Sequence, residues 1–386
     1  TVSFTAYGDS FENNNGFNNF DFGGLVIVAG ENTSIPNGVN NNTVNVELRN
    51  CRFSNNQIHD IAVFGARSMP LSAGLPGTNN RARLRLFGTL VPVLETADSI
   101  PETPGGMNSA IVIRSPITSN FDYDGDSRAD LSVFRPSDRT WYIQPSNSGS
   151  FYGVQFGLAT DKLAPADYDG DGKTDIAVYR SGIWYLQRSQ LGFLGFAFGS
   201  GEDVPQPADF DGDGRAEIAV WRPSNGTWYV FNLATNQFIS FQFGAGTDKP
   251  VVGDYDGDGL ADYAVFRPSN RTWYIQRSTA GYKEIQFGNS SDKLVPADYD
   301  GDGKTDVAVF RPSEGNWYVQ RSASGSLQVV SWGLASDSPV PADYDGDGKA
   351  DIAVYRDGIW YIRQSTSGIN STYFGSSGDV PTNQVQ

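Results

Sequence analysis

The chain has 386 residues, of which 39% are hydrophobic, 13% aromatic and 44 are glycine. Its length exceeds the roughly 100–200 residues of an average domain, and its composition is typical of a β-rich, turn-rich globular protein. The single cysteine, Cys51, excludes an intramolecular disulfide, and the single histidine, His59, leaves no basis for a His-based catalytic or metal site. No apolar run approaches the ~18 residues that a membrane-spanning helix needs.

The net charge of −16 is concentrated in a few segments. Six similar Asp-rich loops carry 24 of the 44 acidic residues, and without these 24 the 28 Lys and Arg would outnumber the remaining 20 Asp and Glu. Phosphate binding needs a clustered basic face, and the sequence has none, so nucleic acid is not an expected partner. The negative charge of the chain is therefore a property of the six loops.

The N-terminal segment, residues 1–115, predicts a domain that resembles a right-handed parallel β-helix. Residues 2–14 (VSFTAYGDSFENN) and 44–56 (VNVELRNCRFSNN) align without a gap at an offset of 42, and a strand around Leu84 begins a third copy. Alternating apolar strands followed by Asn-rich turns are typical of stacked β-helix coils. Residues 92–115 are rich in Pro and Gly at their start and are predicted as the linker.

The start of the sequence supports two expectations. Thr1 begins inside a strand-like pattern, with no Met and no charged-then-apolar leader. This predicts a mature or trimmed chain whose targeting segment has been removed, and hence a secreted or surface-displayed protein. A first β-helix coil that begins in this way has an open edge, which is expected to be covered by lost upstream residues or by another chain, so other copies of the chain are one expected partner.

Residues 116–386 contain a repeat. Six units start 45, 42, 45, 44 and 45 residues apart when they are aligned on the Asp-rich loop. Each unit has four short β-branched or aromatic runs separated by turn residues, and a sheet of this kind cannot bury both faces alone. We therefore expect an all-β protein in which residues 116–386 form a six-bladed β-propeller of four-stranded antiparallel blades.

The last residues predict how the ring closes. Residues 379–383 resemble the segment that leads into the third loop, 203–207, but no further loop follows. They are predicted to supply the innermost strand of the first blade, which joins the two ends of the propeller. A seventh blade would require residues before Pro116.

The loops have the chemistry of a calcium site. In DYDGDGKTD of the fifth unit, carboxylates stand at positions 1, 3, 5 and 9, a spacing that turns alternate side chains toward one point, where the carbonyl of position 7 joins them. Oxygen donors without His or Cys favour Ca²⁺ over zinc or copper, and Mg²⁺ prefers a compact octahedron that keeps several waters. A purely structural acidic turn is the weaker interpretation, because convergent carboxylates repel one another unless a cation lies between them.

The predicted ligands are the four carboxylates of each loop and the backbone carbonyl of its seventh residue, which gives about six Ca²⁺, one per loop. In chain order they are Asp122, Asp124, Asp126, Arg128 and Asp130; Asp167, Asp169, Asp171, Lys173 and Asp175; Asp209, Asp211, Asp213, Arg215 and Glu217; Asp254, Asp256, Asp258, Leu260 and Asp262; Asp298, Asp300, Asp302, Lys304 and Asp306; and Asp343, Asp345, Asp347, Lys349 and Asp351.

Two loops depart from the pattern. Gly at position 6 permits the sharp turn in five loops, but Ser127 stands there in the first loop, and Glu217 replaces the ninth-position Asp in the third. These two loops are expected to bind differently. An EF-hand is excluded because its position 12 is a bidentate Glu on a helix, whereas every loop here has Val at that position, as at Val309, inside a predicted strand.

A second motif carries a family resemblance. Most units contain Phe-Gly and then reach Pro-Ala-Asp at the start of the next loop, as at Pro165-Ala166-Asp167. Together with the Asp-rich loop, this pattern resembles the FG-GAP/VCBS repeat family of integrin α-like propellers and bacterial surface proteins, over roughly residues 116–386. The resemblance implies a calcium-stabilised propeller that acts in adhesion or in carbohydrate or protein binding, and only occasionally in catalysis. The dipeptides are Phe156-Gly157, Phe198-Gly199, Phe243-Gly244, Phe287-Gly288 and Phe374-Gly375.

Each unit also carries a Trp-Tyr pair and an Arg. The pairs, such as Trp317-Tyr318, are expected to pack between blades, with sugar stacking as the alternative. The arginines, such as Arg311, are expected to anchor turns or to stack on these aromatics, with ligand binding as the alternative.

No catalytic residue is predicted, because the sequence contains no nucleophile motif, phosphate loop or His-containing triad. We expect a non-enzymatic, extracellular or surface-displayed calcium-binding protein that acts in adhesion or as a scaffold. Its expected partners are other copies of the chain, surface proteins or glycans. The alternatives are a lectin-like propeller and a polysaccharide-degrading enzyme, the latter by analogy with other β-helix and propeller proteins.

Overall fold

The computed structural model describes residues 121–383 in full and, between Val2 and Arg114, the backbone of nine strands. All of the described elements are strands. Among the described residues there is no helix that is long and apolar enough to cross a membrane. The chain divides into two compact units, Thr1–Ser115 and Pro116–Gln386.

The strands of the first unit pair in parallel. Val2 pairs with Val44 and Phe11 with Phe53, which are residues that the 42-residue offset aligns. The β-helix prediction also covers the segments between the strands, which lie outside the described residues, and it stays a prediction. The strands are β1 (Val2–Tyr7), β2 (Ser10–Glu12), β3 (Leu25–Val28), β4 (Thr43–Arg49), β5 (Arg52–Ser54), β6 (Ile61–Phe64), β7 (Arg81–Phe87), β8 (Leu94–Ala97) and β9 (Ser109–Arg114).

These nine strands form three parallel groups. One sheet has the order β1-β4-β7-β9, a second β3-β6-β8, and β2 pairs with β5. Strands β8 and β9 fall within residues 92–115, for which the sequence predicts a linker; the rest of that stretch lies outside the described residues.

The second unit is a six-bladed β-propeller of four-stranded antiparallel blades, as the repeat predicts. Blade 1 contains β10–β12 and β33, and blades 2 to 6 follow with four consecutive strands each. The strands are β10 (Leu131–Arg135), β11 (Thr140–Gln144), β12 (Tyr152–Gln155), β13 (Lys162–Leu163), β14 (Ile176–Arg180), β15 (Ile183–Arg188), β16 (Gly192–Ala197), β17 (Val204–Pro205), β18 (Ile218–Arg222), β19 (Thr227–Asn232), β20 (Gln237–Gln242), β21 (Lys249–Pro250), β22 (Tyr263–Arg267), β23 (Thr272–Arg277), β24 (Gly281–Gln286), β25 (Lys293–Leu294), β26 (Val307–Arg311), β27 (Asn316–Gln320), β28 (Leu327–Ser331), β29 (Ser338–Pro339), β30 (Ile352–Arg356), β31 (Ile359–Arg363), β32 (Ile369–Tyr373) and β33 (Val380–Pro381).

The core lies between blades. The second strand of a blade is apolar on both faces because a neighbouring blade covers each of them; in β26, Val307 to Phe310 are all buried. Trp317 packs with residues of its own blade and with Val354 of the next blade. All six tryptophans of the Trp-Tyr pairs have no exposed surface, which confirms their packing role; they are Trp141, Trp184, Trp228, Trp273, Trp317 and Trp360.

The six arginines stack on the tyrosines of these pairs and also bind a buried carboxylate. Arg311 lies 4.4 Å from the ring centre of Tyr318, and its Nε and Nη2 each donate to Asp292 at 3.0 Å. Stacking was expected, but the Asp partner, which stands 19 residues before the Arg in five blades, was missed. The partners are Asp161, Asp203, Asp248, Asp292, Asp337 and Asp379.

The C-terminal strand β33 closes the ring, as predicted. It pairs antiparallel with β10 of blade 1, with Val380 opposite Phe134. Asp379, which immediately precedes β33, accepts two hydrogen bonds of 2.8 Å from Arg135, the arginine of blade 1. Thr382 donates its backbone N–H to the carbonyl of Ser132 at 3.0 Å, so the end of the chain is held by main chain and side chains together.

The closing ion pair provides a test of this architecture. We expect Asp379→Ala to lower the free energy of unfolding by about 2–3 kcal/mol, somewhat below the usual cost of breaking a buried pair because Arg135 remains partly in contact with water. Asp357→Asn, at an exposed position near the same end of blade 6, is the matched control. Urea unfolding measures the stability of both variants. Equal unfolding midpoints would show that the ion pair between Asp379 and Arg135 does not stabilise the closure of the ring.

Candidate metal centres

In blades 2 to 6, each Asp-rich loop connects the innermost strand to the second strand; in blade 1 the loop precedes the second strand, β10, and the innermost strand is β33. In blade 5 the loop runs from Asp298 to Asp306 between β25 and β26, and Ala297 and Asp306 form an antiparallel bridge that closes its base. The same bridge recurs in blades 2 to 6. The first and ninth positions of a loop are therefore brought together by the sheet itself.

Carboxylates shape the turn by accepting backbone hydrogen bonds. The Oδ1 of Asp298 accepts from the N–H of Gly301 at 2.6 Å, and its Oδ2 accepts from Gly303 at 2.8 Å. At the ninth position, Asp306 accepts from the N–H of Tyr299 at 2.9 Å and from that of Ser322 at 2.6 Å. These hydrogen bonds orient the carboxylates of positions 1 and 9 without a bound cation.

The predicted ligands converge, but the convergent positions are not the same in every loop. Within each group, the carboxylate oxygens lie within 4.8 Å of one another. Positions 1, 3 and 9 form the group in the first four loops, and positions 1, 3 and 5 in the fifth; the groups are Asp122, Asp124 and Asp130; Asp167, Asp169 and Asp175; Asp209, Asp211 and Glu217; Asp254, Asp256 and Asp262; and Asp298, Asp300 and Asp302.

The fifth-position carboxylate is turned toward a serine hydroxyl in several loops. The Oγ of Ser146 donates to Asp126 at 2.6 Å, and the Oγ of Ser189 donates to Asp171 at 2.7 Å. One oxygen of each carboxylate is thus engaged by the turn between the third and fourth strands of the same blade. The sequence did not reveal these serines as partners of the loop.

Unpartnered oxygens show that the third position fits a cation. The Oδ1 of Asp169 is buried and accepts no hydrogen bond, while its Oδ2 accepts from Gln190 and Leu191 at 3.0 and 2.8 Å. A buried anionic oxygen without a donor is costly, and a cation in the loop would supply the missing interaction. The same orphaned oxygen occurs at the third position of four loops, on Asp124, Asp169, Asp256 and Asp345.

Burial also raises the pKa values of these groups. Burial raises the pKa of Asp298 to about 7 and that of Asp351 to about 8, and repulsion from neighbouring loop carboxylates adds to the effect. Every first- and ninth-position carboxyl group has a pKa raised to between about 6 and about 8. Without a cation, the loops therefore hold protons near neutral pH.

The first and third loops differ structurally from the others. Ser127 has a φ of +70°, in the left-handed region that glycine occupies at this position elsewhere. In the third loop, the Nδ2 of Asn232 donates to Asp211 at 2.7 Å and to Glu217 at 3.2 Å. Asn232 thus takes the place of backbone donors that serve the corresponding carboxylates of other blades.

Neighbouring loops touch through a glycine. At Gly170, the fourth position of loop 2, an added Cβ would lie 2.8 Å from Cγ of Arg215, the seventh residue of loop 3. The same contact recurs around the ring, and it closes where Arg128 of loop 1 covers Gly346 of loop 6. The sequence explains the glycine at position 6 by its turn, whereas the glycine at position 4 also makes room for the next blade.

A pair of glycines separates these two roles. Gly170 and Gly172 have φ of +77° and +83°, but nothing lies within 4 Å of a Cβ added to Gly172. We expect Gly172→Ala to cost about 1 kcal/mol for its conformation, and Gly170→Ala about 1–3 kcal/mol more because of the clash. Urea unfolding gives both values. Arg215→Ala in the Gly170→Ala background should recover most of the difference, and no recovery would contradict the contact.

The raised pKa values predict an unusual pH dependence. A carboxyl group whose pKa is about 6 to 8 when folded and 3.8 when unfolded takes up a proton on folding. In excess chelator, the free energy of unfolding should therefore rise as the pH falls from about 8 toward 5. Thermal unfolding across this range measures it, and a cation that binds the ionised loops should reverse the trend. A flat profile in chelator would contradict the burial of these charges.

Comparison with known protein families agrees with the repeat. The family model for the FG-GAP-like repeat matches residues 122–178, 209–295 and 298–354, about half of the chain. These segments contain all six loops in full and begin at the loop aspartates Asp122, Asp209 and Asp298. No curated protein sequence matches the chain.

Several solved structures are similar in fold. An Agrocybe aegerita lectin that recognises non-reducing terminal N-acetylglucosamine is 16% identical, with a TM-score of 0.44 over 67% of this chain and 90% of its own. TolB from Acinetobacter baumannii is 18% identical, with a TM-score of 0.45 over 67% and 64% of the two chains. Virginiamycin B lyase from Staphylococcus aureus is 7% identical, with a TM-score of 0.42 over 64% and 86%. At these values, none of them indicates what this chain binds.

Proposed function

This chain belongs to the family of FG-GAP-like repeat proteins, and we propose that its six loops bind Ca²⁺, one ion per loop, to stabilise the propeller of an extracellular adhesion or scaffold protein. Two observations carry the proposal: a buried third-position carboxylate oxygen accepts no hydrogen bond in four loops, and carboxylate oxygens converge to within 4.8 Å of one another in the first five loops. Oxygen-only donors at this density are typical of Ca²⁺ sites.

The ligand set of each loop consists of the carboxylates at positions 1, 3, 5 and 9 and the carbonyl at position 7. Bound Ca²⁺ supplies positive charge that neutralises the convergent carboxylates. Six ions would change the net charge from −16 to about −4. Because the loop geometry exists only in the folded chain, binding energy adds directly to the stability of the propeller.

Calcium titration tests the proposal. Isothermal titration calorimetry on the chelator-treated chain should give about six ions per chain, and Ca²⁺ should raise the melting temperature while equal Mg²⁺ raises it much less. A melting temperature that is the same in Ca²⁺ and in chelator, together with no measurable heat of binding, would overturn the proposal.

A neutral variant of one orphaned carboxylate sharpens this test. Asp169→Asn should remove about one ion from the stoichiometry and lower the melting temperature in Ca²⁺. In chelator the same variant should be at least as stable as the native chain, because a repulsive charge is gone. Asp357→Asn, which removes an exposed charge outside the loops, should change neither quantity. Loss of stability in both conditions would point to a packing role for Asp169 instead.

Two features support the adhesion or scaffold role. A propeller with buried carboxylates that need a cation suits the extracellular space, where Ca²⁺ is plentiful and weak sites fill. A parallel β-helix stem in residues 1–115 is supported by the pairing of β1, β4, β7 and β9. Light scattering in millimolar Ca²⁺ tests assembly with other copies, and a strictly monomeric chain would restrict the partners to other proteins or glycans.

Exposed aromatic side chains favour a carbohydrate ligand as the second candidate. The outermost strands carry Phe193, Phe238, Tyr282 and Tyr373, each with more than half of its surface exposed. Aromatic faces of this kind stack on sugar rings, and this alternative places glycan binding at the rim of the propeller. A glycan array tests it, and retention of binding by Tyr373→Ala and Phe193→Ala would contradict the rim as the site.

We also propose that the chain is not an enzyme. In the propeller, the six loops use most of the described carboxylates, and six more pair with arginines. Incubation with a panel of polysaccharides tests this view. New reducing ends or unsaturated uronates would contradict it and favour the polysaccharide-degrading alternative.

A further inference from the structure

In each loop, one peptide group connects its own loop to the preceding loop. The peptide between positions 7 and 8 has its carbonyl in the predicted ligand set of its own loop. Its N–H donates to the backbone carbonyl of position 1 in the preceding loop; the N–H of Ala350 in loop 6 donates to the carbonyl of Asp298 in loop 5 at 2.7 Å. A single planar group therefore connects the ligand set of one loop to the backbone of its neighbour.

The chain of hydrogen bonds continues inside the neighbouring loop. The carbonyl of Asp298 belongs to the same peptide as the N–H of Tyr299. That N–H donates to Oδ2 of Asp306, the ninth-position carboxylate of loop 5, at 2.9 Å. Two peptides and two hydrogen bonds thus link the ligand set of loop 6 to that of loop 5.

The same link occurs at all six junctions and forms a closed ring. The six bonds between loops are 2.6 to 2.7 Å long; they run from Ala129 to Asp343, Thr174 to Asp122, Ala216 to Asp167, Ala261 to Asp209, Thr305 to Asp254 and Ala350 to Asp298. The six bonds within loops are 2.7 to 2.9 Å long; they run from Tyr123 to Asp130, Tyr168 to Asp175, Phe210 to Glu217, Tyr255 to Asp262, Tyr299 to Asp306 and Tyr344 to Asp351.

This arrangement couples the loops through their order. A cation that orders one loop fixes the N–H that donates to the preceding loop and the seventh side chain that covers its fourth-position glycine, so the next ion has less conformational entropy to remove. This ordering favours occupancy of a loop whose neighbour is occupied.

From this ring we propose that the six loops bind Ca²⁺ with positive cooperativity between neighbouring blades, so that the propeller loads its ions as one unit. The inference rests on the proposed calcium function and adds the regulation of the same sites. It predicts that the chain changes between empty and loaded states over a narrow range of Ca²⁺ concentration. The coupling is greatest between adjacent loops and least across the ring.

Glycine amides provide a reporter in every loop. The N–H of the fourth-position glycine donates to the first-position carboxylate at 2.6 to 2.7 Å in all six loops, so its NMR shift senses that carboxylate. In a chain labelled with ¹⁵N only at glycine, Ca²⁺ titration should move the six signals together, with a Hill coefficient of about 2 or more. The reporters are Gly125, Gly170, Gly212, Gly257, Gly301 and Gly346.

Disabling one loop then measures the coupling by position. In the double variant Asp343→Asn, Asp351→Asn, loop 6 lacks two ligands. The midpoints of Gly301 in loop 5 and Gly125 in loop 1 should shift to higher Ca²⁺ about fivefold or more, and that of Gly212 in loop 3 much less. The measurement is made in about 0.5 M salt, where charges that act through solvent are screened within a few ångströms.

The outcomes separate this inference from the calcium function. Six signals that titrate independently, or a double variant in which the other five loops shift equally or not at all, would overturn the cooperative ring while leaving calcium binding intact. No response of any glycine to Ca²⁺ would overturn both.

Discussion

The propeller depends on how it manages repulsion among buried carboxylates at the turn between its innermost and second strands. The sheet itself brings positions 1 and 9 together, as at the bridge between Ala208 and Glu217, where burial and repulsion from neighbouring carboxylates raise the pKa of Asp209 to about 6 and that of Glu217 to about 8. We propose that a cation offsets this repulsion in each loop. The arrangement is repeated six times around one ring, so the charge state of the loops affects every blade junction.

The opposite end of each blade solves a similar electrostatic problem with the chain's own charges. There a buried Asp, such as Asp203, meets the guanidinium of Arg222. Burial opposes ionisation of Asp203, but hydrogen bonds from Arg222 and Ser200 outweigh it and lower its pKa. One end of the blade thus carries an internal counter-ion, and for the other end we propose a cation from solution. Stability should consequently depend on solution conditions chiefly through the loop end.

The sequence predicted the features that repeat locally. The six Asp-rich loops at a 42- to 45-residue period predicted the blade count, and the resemblance of 379–383 to 203–207 predicted the closing strand. It missed the features that depend on which residues meet across blades or turns, such as the packing of Arg215 on Gly170 and the place of Asn232 between two carboxylates. The first contact recurs between the fourth and seventh positions of neighbouring loops, but only the packing of the folded blades shows that these positions meet.

The most direct test of the calcium sites is a crystal structure grown in Ca²⁺, with anomalous diffraction recorded at a long wavelength. We expect one anomalous peak in each loop, at about 2.3–2.6 Å from carboxylate oxygens such as the orphaned Oδ1 of Asp169. Loops that contain only water, with those oxygens protonated or hydrogen-bonded, would contradict this expectation.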